Sequence, residues 1–432
     1  MPRSSPPSAA DRPMPDRDPQ LDILTFGCRL NAFESDVIRG AAAAAGLRDA
    51  IIVNTCAVTA EAERQARQAI RRARREHPGR RIIVTGCAAT VAPERYAALP
   101  EVDLVLDNAA KLRSDSYRAV EAPGRRAIAD TATDMYADVE APARAYLPAR
   151  AYLQVQQGCD HRCTFCIIPY ARGPSRSLPA ATIVGQARRL AAAGCCEIVL
   201  TGVDLTAYGA DLPARPSLGA LVGQLLAAVP ELPRLRLSSL DPSEIDEALW
   251  TLFAGEERLM PHLHLSLQAG DDVILKRMKR RHSRADSVAV ARRARTLRPA
   301  AALGADLIAG FPTETEEMFR RSLDLVGECG IAFLHVFPYS PRPGTPAARM
   351  PQLAPTLIRE RAARLRAAGK AALAAELASR IGRDSDVLIE RPGHGRADFY
   401  ARVECPPSAR EGSIERLRLV AVNGPNLVGA PV

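Results

Sequence analysis

The feature that most constrains the fold is a regular alternation of short apolar runs and helical segments, in which three successive runs each lead to a cysteine. The runs begin near residues 21, 50 and 81 and lead into Cys28, Cys56 and Cys87. Strands separated by helices of this length predict a parallel sheet covered by helices. Because ligands bind where parallel strands end, the three thiols are predicted to converge on a metal site. Three separate buried thiols are the alternative.

A second α/β region follows, and the pattern then changes. From residue 152 onward, strand and helix candidates alternate in about six units over roughly 190 residues, which predicts a partial or complete parallel barrel. After Gly382, short strands at 386–390, 399–403 and 416–422 are separated by turns that contain glycine and proline. This texture predicts a small all-β module at the C-terminal end.

These patterns divide the chain into five segments. Residues 1–20 are rich in proline, serine and aspartate and predict a disordered tail. Residues 21–120 form the first α/β domain, 121–145 a linker, 146–375 the barrel and 376–432 the β-module. No run approaches the ~18 apolar residues of a membrane helix, and the N-terminus lacks the pattern of a secretory signal. The sequence therefore predicts no membrane association and a cytoplasmic location.

A compact cysteine motif follows the first strand of the barrel region. Cys159, Cys163 and Cys166 have the spacing Cys-x3-Cys-x2-Cys. Three thiolates this close together suit a soft metal or an iron–sulfur cluster. A zinc site with His161 as fourth ligand is the alternative, but His161 lies inside the three-residue gap, where one metal would have to accept adjacent ligands. With three protein ligands, one iron of a 4Fe–4S cluster stays open, which is a catalytic arrangement.

With Phe165 before its third cysteine, this motif resembles that of the radical S-adenosylmethionine (SAM) superfamily. The resemblance implies a partial (β/α) barrel in which the open iron chelates SAM. One-electron reduction would cleave SAM to methionine and a 5′-deoxyadenosyl radical, which abstracts a hydrogen atom. It also implies that Cys159, Cys163 and Cys166 are the catalytic cluster ligands.

Further segments resemble the methylthiotransferases within that superfamily. The similarity runs from about residue 21 to about residue 370 and includes the three strand-end cysteines. The other matching segments are Ile168–Gly173 with Arg176–Ser177, Thr201–Leu205 with Tyr208–Gly209, Arg236–Ser239, His264–Gln268 with Gly270, and Gly310–Glu314. The C-terminal module, with Gly393–Gly395 and Tyr400, is similar to a short TRAM domain, an RNA-binding barrel. The predicted class is therefore α/β, with an N-terminal Rossmann-like parallel sheet, a partial barrel and a small C-terminal β-barrel.

The resemblance implies two 4Fe–4S clusters and SAM as cofactors. Cys28, Cys56 and Cys87 would hold an auxiliary cluster whose open iron presents sulfur to the substrate, and a second SAM would supply the methyl group. Contacts to SAM are implied for seven residues, each of which has an alternative as an ordinary loop-end residue or helix cap. These residues are Phe165, Thr201, Gly202, Asp204, Ser238, Ser239 and Gln268.

The segment Phe26–Asn31, followed by Glu34 and Ser35, is most similar to the branch that acts on tRNA threonylcarbamoyladenosine. The implied reaction adds a methylthio group to carbon 2 of this adenine at position 37, beside the anticodon. Implied partners are the anticodon loop of tRNA, an electron donor such as flavodoxin or ferredoxin, and a sulfur source. The alternatives are a methylthiotransferase of isopentenyladenosine in tRNA or of a ribosomal-protein aspartate, and, from another class, a non-catalytic metal-bearing RNA-binding protein.

Positive charge fits a nucleic-acid partner, but only where it is concentrated. The chain has 58 basic and 49 acidic residues, and nearly all basic residues are arginines, as genome composition alone can produce. An arginine-rich helix at 60–76 is about equally well explained as a solvated face. A denser cluster beside one barrel end gives the stronger prediction. RNA contacts are predicted there for Lys276, Arg277, Lys279, Arg280 and Arg281.

Overall fold

The structure, a computed structural model, describes residues 21–118, 127–129 and 149–432. Five parallel strands in sequence order form the N-terminal sheet. Alternate side chains of the second strand enter separate apolar clusters on its two faces, Ile51 and Val53 on one and Ile52 on the other. The strands are β1 (Leu21–Thr25), β2 (Ala50–Thr55), β3 (Arg81–Gly86), β4 (Leu104–Leu106) and β5 (Ala127–Ala129). The helices are α1 (Arg29–Ala44), α2 (Ala60–Glu76), α3 (Cys87–Val91), α4 (Pro93–Ala97) and α5 (Asp115–Arg118).

The strand β5 lies inside the segment 121–145 that the sequence predicts as a linker. It pairs with β4 and extends the sheet. The run Ala127–Ala129 is three residues long, too short to stand out from its alanine-rich surroundings. The rest of that segment, like the predicted tail 1–20, lies outside the described residues.

The middle of the chain forms a second array of parallel strands. Its strand order is β6–β9–β10 and then β11–β12–β13–β14, and only Ser238 separates β10 from β11. Within the described residues β6 and β14 do not pair, so the barrel is open along one side. The strands of this array are β6 (Arg150–Gln154), β9 (Glu197–Thr201), β10 (Arg234–Leu237), β11 (Ser239–Leu240), β12 (His262–Gln268), β13 (Ala302–Ala309) and β14 (Ile331–Pro338). Two short strands, β7 (Gln156–Gln157) and β8 (Arg176–Ser177), form a separate antiparallel pair.

Helices surround this open barrel and bury their leucine-rich faces against it. Several of them begin at polar caps: the Ser217 side chain accepts from the Ala220 amide, and that of Asp246 accepts from the Leu249 amide. The helices are α6 (Ile168–Arg172), α7 (Ala180–Ala192), α8 (Leu218–Ala228), α9 (Glu247–Gly255), α10 (Asp272–Met278), α11 (Arg284–Leu297), α12 (Glu316–Glu328) and α13 (Pro355–Ser379).

A closed five-stranded barrel ends the chain. Its strands are connected in the order β15–β16–β17–β19–β18. The sequence predicts three of them and misses β16 and β19, which contain glycine or proline and so have low strand propensity. The strands are β15 (Asp384–Arg391), β16 (His394–Ala397), β17 (Arg402–Glu404), β18 (Ile414–Asn423) and β19 (Asn426–Pro431).

The small barrel is anchored on the large one by buried polar contacts. Arg236 forms a buried ion pair with Glu197 and also donates to the carbonyl oxygen of Asp398 at 3.0 Å. Tyr400 stacks on His262 of β12 with ring centroids 4.5 Å apart. The C-terminal module therefore contributes a side chain to the open barrel. In the described part of the chain, no helix has the length and apolar character needed to cross a membrane.

Candidate active site

The three strand-end cysteines come together at the edge where the N-terminal strands finish. Cys56 directly follows β2, Cys87 directly follows β3, and Cys28 lies two residues beyond Phe26, just before α1. All three line one cavity of about 580 Å³. The structure therefore brings the three predicted residues, Cys28, Cys56 and Cys87, to one cavity.

Backbone conformation fixes Cys87 within this arrangement. Gly86 has φ +95°, a region that glycine adopts readily and other residues rarely do. A Cβ atom at Gly86 would lie 2.3 Å from the carbonyl oxygen of Thr55 on the neighbouring strand. The turn from β3 into α3 thus requires glycine directly before the cysteine.

Replacing Gly86 by alanine is expected to lower the free energy of unfolding by about 1–3 kcal/mol and to reduce iron binding at this site. The physical reason is the left-handed backbone together with the contact to Thr55. Gly79→Ala is the matched control, since a Cβ there meets no atom within 4 Å. Urea unfolding and iron analysis of both variants check the prediction, and equal results for the two would contradict it.

N–H donors surround the sulfur atoms. The Nε of Arg172 donates to the Sγ of Cys87 at 3.1 Å, and the amide of Val58 donates to the Sγ of Cys56 at 3.5 Å. Burial raises the pKa of Cys56 to about 12, so this thiol is protonated at neutral pH. Such donors stabilise thiolates once a metal displaces the protons. Three convergent thiols with this surrounding fit a thiolate-ligated cluster.

Arg172 belongs to a buried ionic network between the two α/β domains. Its guanidinium contacts both carboxylate oxygens of Glu34, at 2.7 and 3.0 Å, and Lys111 donates to the same carboxylate at 2.6 Å. Burial opposes ionisation of Glu34, but Arg172 and Lys111 outweigh it and lower the pKa of Glu34 to about 2. Asn108 accepts from Lys111 and donates to the carbonyl oxygen of Ala171, beside Arg172 in α6.

Sequence reasoning missed this network. Arg172 and Glu34 lie in segments that carry the family resemblance, but nothing in their spacing pairs them. Lys111 is one of the few lysines of an arginine-rich chain, which was the available signal.

The second cysteine set lies in a loop held by backbone contacts. The Cys159 amide donates to Gly173, and the Cys166 amide donates to Cys163, each at 3.1 Å. Thr164 donates its amide to the carbonyl oxygen of Met278 at 3.1 Å. This loop therefore has a defined conformation, and its three thiols within eight residues suit a cluster with one open iron.

The two cysteine sets are linked by α6. This helix begins two residues after Cys166, and Ile167 and Ala171 pack in the same apolar cluster as Cys87 and Ala88. Arg172, at its end, is the residue that donates to Cys87. The two predicted clusters would therefore share one rigid connection.

The residues for which SAM contacts were predicted divide into three places. Thr201, Gly202, Ser238 and Ser239 line the 580 Å³ cavity together with the strand-end cysteines. Phe165 and Gln268 line an adjacent cavity of about 190 Å³. Asp204 lies at the cysteine loop, with its Oδ2 3.6 Å from the Sγ of Cys159 and 2.9 Å from the Nε2 of His161. Their role in SAM binding stays a prediction.

Gln156, which sequence reasoning did not single out, holds the 201–204 loop. Its side-chain oxygen accepts from the amides of Val203 and Asp204, both at 2.9 Å. Its amide group donates to the carbonyl oxygen of Gly158 at 2.8 Å. One buried side chain therefore couples this loop to the start of the cysteine motif.

Two histidines share a carboxylate on the cavity wall. The Oδ1 of Asp306 lies 2.9 Å from the Nε2 of His264 and 3.2 Å from the Nδ1 of His335. Burial would raise the pKa of Asp306, but the imidazoles hold it well below its usual value. Asp306 is thus held between two histidine rings on the cavity wall.

The predicted RNA contacts do not all face solvent. Lys276, Arg277, Lys279 and Arg281 are exposed at the end of α10. Arg280 instead turns inward, where it pairs with Asp241 at 2.7 Å and donates to the carbonyl oxygen of Ser266. The Arg280 side chain is 8% exposed and already paired, which argues against the phosphate contact predicted for it.

Two family models match separate parts of the chain. The Radical SAM superfamily matches residues 153–326, and the Uncharacterized protein family UPF0004 matches residues 20–107. The fold and these matches define a radical SAM protein with an additional N-terminal domain.

Curated relatives narrow the class further. The threonylcarbamoyladenosine tRNA methylthiotransferase MtaB of Rickettsia prowazekii is 46% identical over 93% of this chain and 95% of its own. The corresponding enzyme of Aquifex aeolicus is 36% identical over 79% of this chain and 85% of its own. A tRNA-2-methylthio-N(6)-dimethylallyladenosine synthase of Novosphingobium aromaticivorans is 35% identical over 94% and 96%. The chain belongs to the radical SAM methylthiotransferase family.

Solved structures share the fold. The radical SAM methyltransferase TsrM of Kitasatospora setae, with cobalamin and a 4Fe–4S cluster bound, has a TM-score of 0.54 at 16% identity and covers 76% of this chain and 74% of its own. The cobalamin-dependent SAM radical enzyme OxsB has a TM-score of 0.52 at 12% identity and covers 80% and 55%. With the closed C-terminal barrel, these likenesses confirm the predicted fold class.

Proposed function

We propose that this protein is a tRNA methylthiotransferase that adds a methylthio group to carbon 2 of N6-threonylcarbamoyladenosine at position 37. The observation that carries the proposal is the 580 Å³ cavity, where Cys28, Cys56 and Cys87 meet the Thr201 and Ser238 segments of the barrel. The relatives named MtaB support this substrate over isopentenyladenosine or a ribosomal-protein aspartate.

The reaction needs cofactors because no side chain can deprotonate an unactivated C–H group or displace hydride from it. Two 4Fe–4S clusters and SAM are the cofactors of this family, and when bound they supply the one-electron chemistry and the methylthio group. Cys159, Cys163 and Cys166 would hold one cluster, and the three strand-end cysteines the other.

The protein's own residues bind and orient the cofactors and the substrate, and they shield the site. Arg172 and the Val58 amide stabilise thiolate ligands, and Gln156 fixes the loop that would face SAM. The cavity is large enough for a base that has left its stack, and a single-stranded anticodon loop releases such a base at low cost. The cavity lined by the strand-end cysteines would thus hold carbon 2.

RNA phosphates would meet the exposed cations at the end of α10. Lys276, Arg277, Lys279 and Arg281 are the proposed contacts, and binding would weaken steeply with added salt. An electron donor such as flavodoxin or ferredoxin and a sulfur source complete the proposed partners. Since the substrate is tRNA, we place the reaction in the cytoplasm.

Deleting the gene and analysing tRNA nucleosides by mass spectrometry tests the substrate assignment. We expect methylthio-threonylcarbamoyladenosine to disappear, its unmethylthiolated precursor to accumulate, and the wild-type gene to restore the product. A Cys28→Ala gene is the control that should fail to restore it. Persistence of the product in a strain without a paralogue would overturn the assignment.

A further inference from the structure

We propose that Arg29 recognises the carboxylate of the threonylcarbamoyl group, and that Tyr400 of the C-terminal barrel orients its guanidinium. This inference rests on the function proposed above and assigns the residue that selects the substrate. Arg29 is the first residue of α1, directly after Cys28, and it lines the 580 Å³ cavity. A cation there stands beside the site where the modified base would lie.

The charges on the cavity wall leave Arg29 without a carboxylate. Two arginines of the described residues line the cavity, and Arg172 is neutralised by Glu34. Asp306, the cavity's carboxylate, is paired with His264 and His335. In the part of the chain that the structure describes, Arg29 forms no ion pair, and its half-buried side chain lines the cavity. The wall therefore presents a guanidinium without an ion-pair partner among the described residues, which favours an anionic ligand.

Tyr400 holds this cation in place. The Nη2 of Arg29 donates to the Oη of Tyr400 at 2.7 Å, and its guanidinium carbon lies 5.4 Å from the ring centroid. Tyr400 is itself fixed by the stack on His262 and adopts φ +83°, an uncommon conformation for a residue with a side chain. A guanidinium has five N–H donors, so most of those of Arg29 stay available for a ligand.

The chemistry of the two alternative tRNA substrates explains why Arg29 would select between them. A threonylcarbamoyl carboxylate can accept two parallel N–H bonds from one guanidinium. An isopentenyl group offers no acceptor, so its binding would strip water from Arg29 without replacing the lost hydrogen bonds. Sites built around a charged partner reject analogues that lack it by large factors. Arg29 would therefore favour the anionic substrate and disfavour the apolar one.

The test compares two anticodon stem-loop RNAs, one with the free carboxylate on its threonylcarbamoyladenosine and one with the methyl ester. Reconstituted full-length wild-type protein, Arg29→Gln, Arg29→Lys and the control Arg48→Gln are measured for RNA Kd and for kcat/KM. Arg48 is exposed in the turn after α1, away from the cavity lining. We expect wild type and Arg48→Gln to prefer the acid about 100-fold. Arg29→Gln should lose that preference because the values for the acid RNA worsen while those for the ester RNA stay unchanged. Arg29→Lys should keep part of the preference.

The outcomes separate this inference from the proposed function. An undiminished acid preference in Arg29→Gln overturns the role of Arg29 while leaving the function intact. Failure of cluster-loaded wild type to modify the acid RNA overturns the function itself. If Arg29→Gln loses iron, Tyr400→Phe decides, because it removes the hydroxyl that accepts from Arg29 and leaves the cysteines untouched. It should lower the acid preference about tenfold with iron unchanged, and an unchanged preference contradicts the proposal.

Discussion

Cys159→Ala is expected to abolish methylthio transfer, to reduce bound iron from about eight to about four atoms per chain, and to stop reductive SAM cleavage. Cys28→Ala should also abolish the product and halve the iron, but it should still cleave SAM. The difference follows from the two proposed roles, since one cysteine set would cleave SAM and the other would present sulfur. Iron analysis, 5′-deoxyadenosine formation and nucleoside mass spectrometry on anaerobically reconstituted protein measure all three quantities.

Cys196→Ala is the matched control for both variants. Cys196 has no cysteine partner at ligand spacing, and its sulfur contacts the carbonyl oxygen of Gly412. The Cys196→Ala variant should keep the full iron content and the full activity of wild type. If Cys28→Ala and Cys159→Ala both retained full iron, or if Cys28→Ala lost SAM cleavage with four irons bound, the division of roles would be contradicted.

Glu34→Gln is expected to lower the free energy of unfolding by about 3–5 kcal/mol, because it leaves buried cations without their counter-charge. Glu34 and Lys111 are fully buried, and Arg172 is 2% exposed. Glutamine keeps the shape of Glu34 and removes its charge, so the loss reports the ionic contribution. Urea unfolding of the iron-free protein measures it.

Glu61→Gln is the matched control, since Glu61 also pairs with an arginine near the start of a helix but is exposed. Its expected effect is within about 0.5 kcal/mol. A Glu34→Gln effect as small as that of the control would contradict the role given to the network.

The same network predicts a pH dependence. The pKa of Glu34 is lowered in the folded protein, from 4.5 to about 2, by Arg172 and Lys111 despite the opposing effect of burial. A carboxyl with a lowered folded-state pKa contributes stability that is fully present above pH 4.5 and is lost as the pH falls toward 2. The stability difference between wild type and Glu34→Gln should therefore narrow over that window.

Much of the architecture can be predicted from local sequence patterns. The apolar runs that end near Cys28, Cys56 and Cys87 predict a parallel sheet, and in such a sheet the strand ends share one edge whatever the distance along the chain. This topological rule is why residues far apart in sequence could be predicted to meet. The same alternation predicts a parallel barrel, partial or complete, and the family resemblance implies that it is partial.

The start of α1 creates part of the site that the sequence does not reveal. The helix begins at Arg29, directly after Cys28. Asn31 and Glu34 then lie one turn apart, and both accept hydrogen bonds from Arg172. Such long-range polar pairing has no period in the sequence and depends on how two domains dock.

The C-terminal barrel and Arg280 show the same limit. Strands that contain glycine gain their stability from closing the barrel rather than from their own propensity, so local sequence patterns do not predict β16 and β19. Arg280 looks like its basic neighbours in sequence, but a single turn of backbone after α10 directs it to Asp241. Charge composition does not distinguish a paired cation from a free one.

The most direct test of the central claim is a single reaction of the reconstituted full-length protein with SAM, a reductant and an anticodon stem-loop RNA that carries threonylcarbamoyladenosine, followed by nucleoside mass spectrometry. We predict the methylthio product with wild type and none with Cys28→Ala or Cys159→Ala. Wild-type protein with about eight irons that cleaves SAM but leaves this nucleoside unchanged, while converting an isopentenyladenosine RNA, would contradict the account.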